Sequence, residues 1–420
     1  MRVLVLTHYW APEIGAPQKR WRRLAEGLTA RGHELAVLTP SPHYPAGRLL
    51  EDSPAYAPGS IHRDASGALI HRTAFRPYDA GLGGRGADQA VAAAHALRLG
   101  LHRFAGANRP DVVVGSVPGL PTLPAALALG RGLRRPVVAE LRDAWPDILA
   151  SADDWASAPD RADSRRSRAR ETVLSGIRGA IPPAVTWLER GAAAVVTTTE
   201  SFARVLRERG MGRVVTVRNT AEPRYWALPS VPRERADGAL HVLYLGTVGR
   251  AQGLRSAVRA AALARARGTR MVLRVVGEGA DLAPMRSEAQ DLAAPVEVLP
   301  TVPADRVAAH YAWADSVLVS LQDWPSMELT VPSKLYEVMA AGRHVSLAAA
   351  GAAGRIVSSS RSGDVVPPQD PDALARLWQR LAADRSRLFV TGGGPWLEAH
   401  AAPDALVDRY ETVLGDVAHA

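Results

Sequence analysis

Short β-branched runs alternate with helix-patterned stretches along the whole of this chain, and that alternation limits its folds more than any other feature. In the first half, strands are expected at Val3–Thr7, Leu35–Thr39, Val112–Ser116, Val137–Leu141, Ala194–Thr198 and Val214–Val217. In the second half they are expected at His241–Gly246, Met271–Gly277, Val296–Leu299, Ser316–Leu321, Val345–Leu347 and Asp364–Val366. Between the first two strands, Trp21, Leu24, Ala25 and Leu28 form an apolar stripe on one face of a helix. Strand–helix alternation requires parallel sheets with both faces covered, an α/β architecture. Two such sets, each opening with a strand that runs into a glycine loop, predict two Rossmann-like domains, and 420 residues suit two domains. Asn219–Gly238, with Pro223, Pro229 and Pro232 and no periodicity, reads as the junction. Ligands of open parallel sheets bind beyond the carboxyl ends of the strands, so the cleft between two such domains is the expected site.

Charge narrows the partners. Lys and Arg number 51 against 42 Asp and Glu, a net charge of +9. This favours an anionic partner: nucleic acid, an acidic membrane face or a phosphorylated substrate. Only two of the basic residues are lysines, Lys19 and Lys334. The absence of cysteine excludes disulfides, thiolate metal sites and a cysteine nucleophile. Met1–Thr7 is too short for a signal peptide and reads as a strand. Val112–Gly130 has the length of a membrane span, but Pro118, Pro121 and Pro124 make it a strand, a loop and a helix start. A soluble or peripheral protein is expected.

Three features resemble sites and read better as structure. Gly81-Leu-Gly83-Gly-Arg-Gly86 has dinucleotide-binding spacing, but no strand precedes it, so Tyr78–Gly86 is expected to be a mobile loop. Asp370-Pro-Asp372 suits an N-cap for a helix over Ala373–Leu381. None of the twelve histidines shows metal-ligand spacing; His8, His33 and His43 read as polar loop residues, and no metal is expected.

Pro332-Ser333-Lys334-Leu-Tyr-Glu337 through Gly342 follows a strand and opens a helix, with proline in the first turn and glycine at the stop. The free N–H groups of such a helix end attract phosphate. Lys334 and Glu337 share a face, so lysine can meet a diphosphate while glutamate accepts from ribose hydroxyls; a surface ion pair is the plain alternative. Tyr244-Leu-Gly246-Thr-Val-Gly249-Arg250-Ala-Gln252-Gly253 ends another strand in a glycine loop bearing an arginine fork. Gly277-Glu278-Gly279 is a further strand-end turn suited to approach by a nucleoside. The first half opens similarly, from His8 through Glu13-Ile-Gly15-Ala16 to Lys19.

Together with Leu141-Arg142-Asp143-Ala-Trp145-Pro146-Asp147 and a closing pattern from Trp396 to Leu414, these residues resemble the GT-B sugar-nucleotide glycosyltransferases of family 4. The likeness is nearest to bacterial surface-polysaccharide members, including the N-acetylfucosaminyltransferase-like branch. The resemblance implies an acceptor-binding domain over 1–218, a nucleotide-sugar-binding domain over 219–395, and a final helix, 396–420, that crosses back. It further implies retention of configuration without metal or cofactor, with hexosyl or N-acetylhexosaminyl transfer from a nucleotide sugar, UDP favoured. The acceptor would be a polyprenyl-linked or cell-surface glycan, with no nucleic acid bound.

By the same resemblance, Arg142, Asp143 and Lys334 are catalytic. Gly15, Ala16, Gly249, Arg250, Gln252, Gly277, Ser333, Lys334 and Glu337 bind the donor, and His8, Lys19 and Asp147 face the acceptor. Two departures stand out. The first glutamate of the family's pair falls at Leu329, one residue from Glu328, and the lysine usual after the arginine is absent, leaving Lys334 to supply that charge. Many relatives also carry histidine where Arg142 stands.

Arg165, Arg166, Arg168, Arg170 and Arg178, followed by Ile181, Val185, Trp187 and Leu188, suggest attachment to an anionic membrane surface; a cytoplasmic protein peripheral to the inner face is expected. Two other readings stand beside the transferase. One is a nucleotide-sugar epimerase of the same architecture; the other is a non-catalytic polyanion- or membrane-binding protein with a decayed donor site.

Overall fold

A computed structural model describes residues 1–44, 46–78, 82–144, 147, 183–226, 228 and 236–420. The chain divides into two units: residues 1–218 with 403–420, and residues 219–402.

In the first unit the strands are β1 (Arg2–Thr7), β2 (Glu34–Pro40), β3 (Ile61–Arg63), β4 (Leu69–Thr73), β5 (Val112–Val117), β6 (Val137–Leu141), β7 (Ala194–Thr197) and β8 (Val214–Thr216). They form one sheet in the order β3-β4-β2-β1-β5-β6-β7-β8, parallel except for β3. Its helices are α1 (Ala16–Ala30), α2 (Leu82–Arg103), α3 (Thr122–Leu133), α4 (183–189) and α5 (Glu200–Glu208). The stripe Trp21, Leu24, Ala25 and Leu28 of α1 is fully buried against Val3, Val5 and Val37 of the sheet.

The second unit carries β9 (Leu240–Leu245), β10 (Met271–Val276), β11 (Val296–Leu299), β12 (Ser316–Ser320), β13 (His344–Ala348) and β14 (Gly363–Val366). These pair in parallel in the order β11-β10-β9-β12-β13-β14. Its helices are α6 (Leu254–Ala266), α7 (Leu282–Asp291), α8 (Val307–Trp313), α9 (Ser333–Ala340), α10 (Gly351–Ser360), α11 (Pro371–Ala383) and α12 (Gly393–Ala401). Asp370 caps α11 by accepting from the Ala373 N–H at 2.8 Å. In each sheet the first strand lies between its successor and a strand reached later in the chain, β1 between β2 and β5 and β9 between β10 and β12. The loops after β1 and β9 therefore stand at topological switch points, where open sheets hold ligands.

Three expectations are corrected. The glycine stretch is not a loop throughout, because α2 starts at Leu82 and takes in Gly83 and Gly86. The helix is carried by its later turns, where Ala92, Ala93 and Ala96 are buried and Gly100 lets α2 lie against Leu129 of α3. Once nucleated there, extension through Gly83, Gly84 and Gly86 costs about 1 kcal/mol each. The return to the first unit begins at Pro403 rather than Trp396: α12 ends at Ala401, and α13 (Pro403–Ala418) starts on the proline that ends the preceding helix. Finally, β3 and β4 were not expected, since His71 and Arg72 interrupt the apolar pattern of β4. The Arg72 guanidinium is buried all the same, donating to the carbonyls of Pro40 (3.1 Å) and Ala11 (2.7 Å) with its face over the Tyr56 ring.

Candidate active site

In the second unit the loops after β9 and β10 are fastened to each other. Gly246 N–H donates to the Val276 carbonyl at 2.9 Å, and Val248 N–H to that of Glu278 at 2.8 Å. Gly277 has φ +147°, and a Cβ there would stand 2.0 Å from the Gly246 oxygen; one at Gly279 would stand 2.3 Å from that of Val248. Glycine is thus required at 277 by its positive φ and by loop-against-loop packing. Gln252 is likewise engaged within its loop, accepting from the Gly249 N–H at 3.1 Å. This short turn, Arg250–Gln252, leaves the Arg250 side chain exposed at the carboxyl end of β9, while Gln322 donates to the Arg250 carbonyl at 3.0 Å.

Helix α9 starts at Ser333 with Pro332 before it and no side-chain cap; of its first-turn N–H groups, that of Leu335 donates to the Pro332 carbonyl at 3.0 Å. The Lys334 Nζ is sealed from solvent, has no hydrogen-bond partner among the described residues, and lies 3.7 Å from the centre of the Tyr244 ring. It is pressed against Gly246, where a Cβ would come within 3.0 Å of Nζ. Burial pushes the Lys334 amine down to about 7, with the Glu337 charge opposing. Glu337 is no surface residue: it is buried and accepts from the Tyr311 hydroxyl at 3.0 Å. The Tyr311 ring meets Tyr225 edge-on at 5.4 Å. Glu328 is exposed, one residue before Leu329.

In the first unit, Gly15 caps α1 and Ala16 begins it, again with no side-chain cap. Beneath that loop, Glu13 is buried and accepts from the N–H groups of His43 (3.0 Å) and Tyr44 (2.9 Å) and from Gln18 Nε2 (3.0 Å). Lys19 is partly buried one turn into α1. The next residue, Arg20, pairs with buried Glu140 at 2.8 Å; Ser116 donates to the same carboxylate at 2.7 Å and accepts from Trp21 Nε1 at 2.9 Å. Arg142 Nε donates to the Val117 carbonyl at 2.9 Å, while its Nη2 is sealed without a partner among the described residues. Desolvation lowers the Arg142 guanidinium and raises the neighbouring Asp143 carboxyl, each opposed by the other's charge.

Asp147 is held by an ion pair with Arg209. Glu189 of α4, fully buried nearby, is pushed up to about 8 by burial, with the Asp147 charge adding and Arg209 opposing. His8 and His43 lie in the loops after β1 and β2, as expected, but both are buried against Asp88. Of the residues that the sequence did not single out, Glu140 had a signal, a lone charge inside the apolar strand Val137–Leu141. Asp88, Tyr311 and Tyr225 had none. Trp145, Pro146, Arg165, Arg166, Arg168, Arg170 and Arg178 lie outside the described residues.

A sheet pair of this kind, with glycine loops and an uncapped helix bearing a buried lysine, matches a known class. Residues 15–220 match the family described as glycosyl transferase 4-like domain, and residues 239–384 the family described as glycosyl transferases group 1. The chain belongs to the family 4 glycosyltransferases of GT-B fold. It is 22% identical over 368 residues to WcaI of Escherichia coli (strain K12), named as a glycosyl transferase of colanic acid biosynthesis, covering 81% of this chain and 82% of that one. Sucrose-phosphate synthase from Thermosynechococcus elongatus shares the fold with a TM-score of 0.72 at 15% identity, over 99% of this chain and 98% of the other. HepE of Anabaena, in complex with UDP and glucose, has a TM-score of 0.65 at 14% identity, over 98% and 99% of the two chains.

Proposed function

We propose that this glycosyltransferase moves a hexosyl or N-acetylhexosaminyl group from a UDP-sugar to a polyprenyl-linked or surface-glycan acceptor, with retention and without a metal at the leaving group. The observation that carries the donor half is Lys334: a sealed, unpartnered amine beside the start of an uncapped helix and the Gly246 loop. An arriving diphosphate satisfies both the amine and the helix N–H groups, and Arg250 adds a second cation. Complexes of HepE with UDP and with UDP-glucose support the choice of base. The relationship to WcaI supports a polysaccharide acceptor.

Attachment to an anionic membrane belongs to the same reading. It is supported by Trp187, 64% exposed on α4 just after the arginine-rich segment. Among the described residues, no helix is long and apolar enough to cross a membrane.

The test is a donor screen across UDP-, GDP- and TDP-sugars, scored by calorimetry and by slow donor hydrolysis, with and without EDTA. UDP-sugars should bind, and Lys334→Ala or Arg250→Ala should weaken them roughly 10- to 150-fold, as expected for one charge-assisted bond. Equal binding by parent and both variants, or hydrolysis restored only by Mg²⁺ or Mn²⁺, would overturn the reading. The anomer of the first product seen by NMR decides retention.

A further inference from the structure

Three groups that are far apart in sequence meet inside the first unit. His8 directly follows β1, His43 lies in the loop after β2, and Asp88 is on α2; all three are buried. Asp88 Oδ2 lies 3.1 Å from His8 Nε2 and 2.9 Å from His43 Nε2, and the three ligand-type atoms fall within 4.8 Å of one another. We propose that His8, His43 and Asp88, all of the first unit, bind a divalent transition-metal ion of the Zn²⁺ type.

Four observations carry this. The first is the hydrogen count. His43 Nδ1 lies 2.7 Å from the Ser41 carbonyl, so that nitrogen carries a hydrogen and Nε2 of the neutral ring turns a lone pair toward the Asp88 carboxylate. Two facing lone pairs repel unless a cation stands between them. Second, His8 Nε2 lies 3.1 Å from the same oxygen and is sealed from solvent. A proton on His43 satisfies one of these nitrogens; a metal ion satisfies both, and the carboxylate as well.

Third, the outer contacts are those that orient metal ligands. The Ser41 carbonyl fixes the His43 tautomer, and the Arg76 N–H donates to Asp88 Oδ1 at 2.8 Å, turning Oδ2 inward. Fourth, the His43 ring is locked in place, stacked on Phe75 at 4.7 Å and met edge-on by Tyr78 at 5.9 Å. Two imidazoles and one carboxylate are a borderline donor set that suits Zn²⁺ and leaves a fourth position for water or another ligand. The two separations to Asp88 Oδ2, 3.1 and 2.9 Å, lie close to the roughly 3–3.5 Å between ligands held about 2.0–2.1 Å from a common ion.

The experiment uses the full chain, stripped with a chelator and desalted, then titrated with Zn²⁺ against a chromophoric competitor at pH 7.5. The parent should bind one Zn²⁺ per chain. His8→Gln, His43→Gln and Asp88→Asn should each weaken binding by more than the roughly 10- to 100-fold typical of losing an outer contact. His33→Gln, altering a histidine paired with Glu411 elsewhere, should leave it unchanged. Co²⁺ in place of Zn²⁺ should give the strong visible absorption of a four- or five-coordinate site in the parent and lose it in His8→Gln, the variant least able to disturb the fold. No stoichiometric Zn²⁺ binding by the parent, parental affinity in the folded variants, or only the weak six-coordinate Co²⁺ spectrum would each overturn the proposal. UDP binding is measured on the same samples and is expected to persist in the stripped protein, so failure of the metal site and failure of the donor site are read separately.

Discussion

At the scale of single residues, Lys334 is the most informative group in the chain. An unfolded lysine keeps its proton to about pH 10.4, whereas burial brings this one down to about 7. The unfolded state therefore binds more protons than the folded state between those values, and the lysine's contribution to stability improves as pH rises through that window. Ligand binding has the opposite sign. A diphosphate favours the charged amine, so donor binding takes up a proton, and affinity falls by up to about tenfold per unit above pH 7 until the lysine's value in the complex is reached. Calorimetry of UDP binding in two buffers of different ionisation enthalpy measures that uptake directly. Lys334→Met should abolish it while raising the stability of the second unit at pH 7 by about 1–3 kcal/mol, the usual cost of an unsatisfied buried polar group. Proton uptake that persists in Lys334→Met would assign it to another group.

At the scale of elements, the loop pair after β9 and β10 is held in shape by glycine. Gly277→Ala places a methyl group 2.0 Å from the Gly246 oxygen at a φ of +147°, so the loops must separate. The variant should lose about 1–3 kcal/mol and bind UDP more weakly. Gly268→Ala is the control: it has positive φ but nothing within 4 Å, so it carries the backbone strain alone. Equal melting temperatures for the two variants would show that loop packing contributes nothing.

The same elements show what is legible in a sequence. Strands buried on both faces announce themselves as β-branched runs, which is why twelve of the strands lie close to where the pattern puts them, whereas β4 hides behind His71 and Arg72, the latter buried with two guanidinium N–H groups donating to carbonyls of other segments. Lys334 and Glu337 were legible because both sit on one short helix after a strand. The environment of Glu337 was not, since Tyr311 arrives from a different helix. His8, His43 and Asp88 are 35 and 45 residues apart along the chain, and only the order of β1, β2 and α2 in the fold makes them neighbours.

At the scale of the whole molecule, the first unit is discontinuous. Helix α13 packs on α1, with Tyr410 meeting the Trp21 ring edge-on at 5.7 Å, and it buries Leu406, Val407, Val413, Leu414 and Val417 in the same core. Its ion pairs, Arg31 with Asp408 and Glu411 and Arg213 with Asp416, are partly exposed and contribute little. The apolar burial decides the matter: six such side chains at about 1.5–3 kcal/mol each approach or exceed the whole stability of a typical domain, roughly 5–15 kcal/mol. A chain ending at Ala402 should therefore lose the melting transition of the first unit and keep that of the second. Limited proteolysis should leave a fragment close to residues 219–402. Two intact transitions would show that α13 is dispensable.

This arrangement also bears on how the protein is made. Synthesis runs from the amino end, and domains usually fold in that order as they emerge. Here the leading unit lacks one wall of its core until residues 403–420 are translated, while every residue of the trailing unit is already present once Ala402 has been added. The ribosome therefore delivers the second unit complete before it delivers the piece that closes the first. During that interval Trp21 and its neighbours wait without their α13 cover, which makes the nascent first unit the part of the chain most in need of a chaperone.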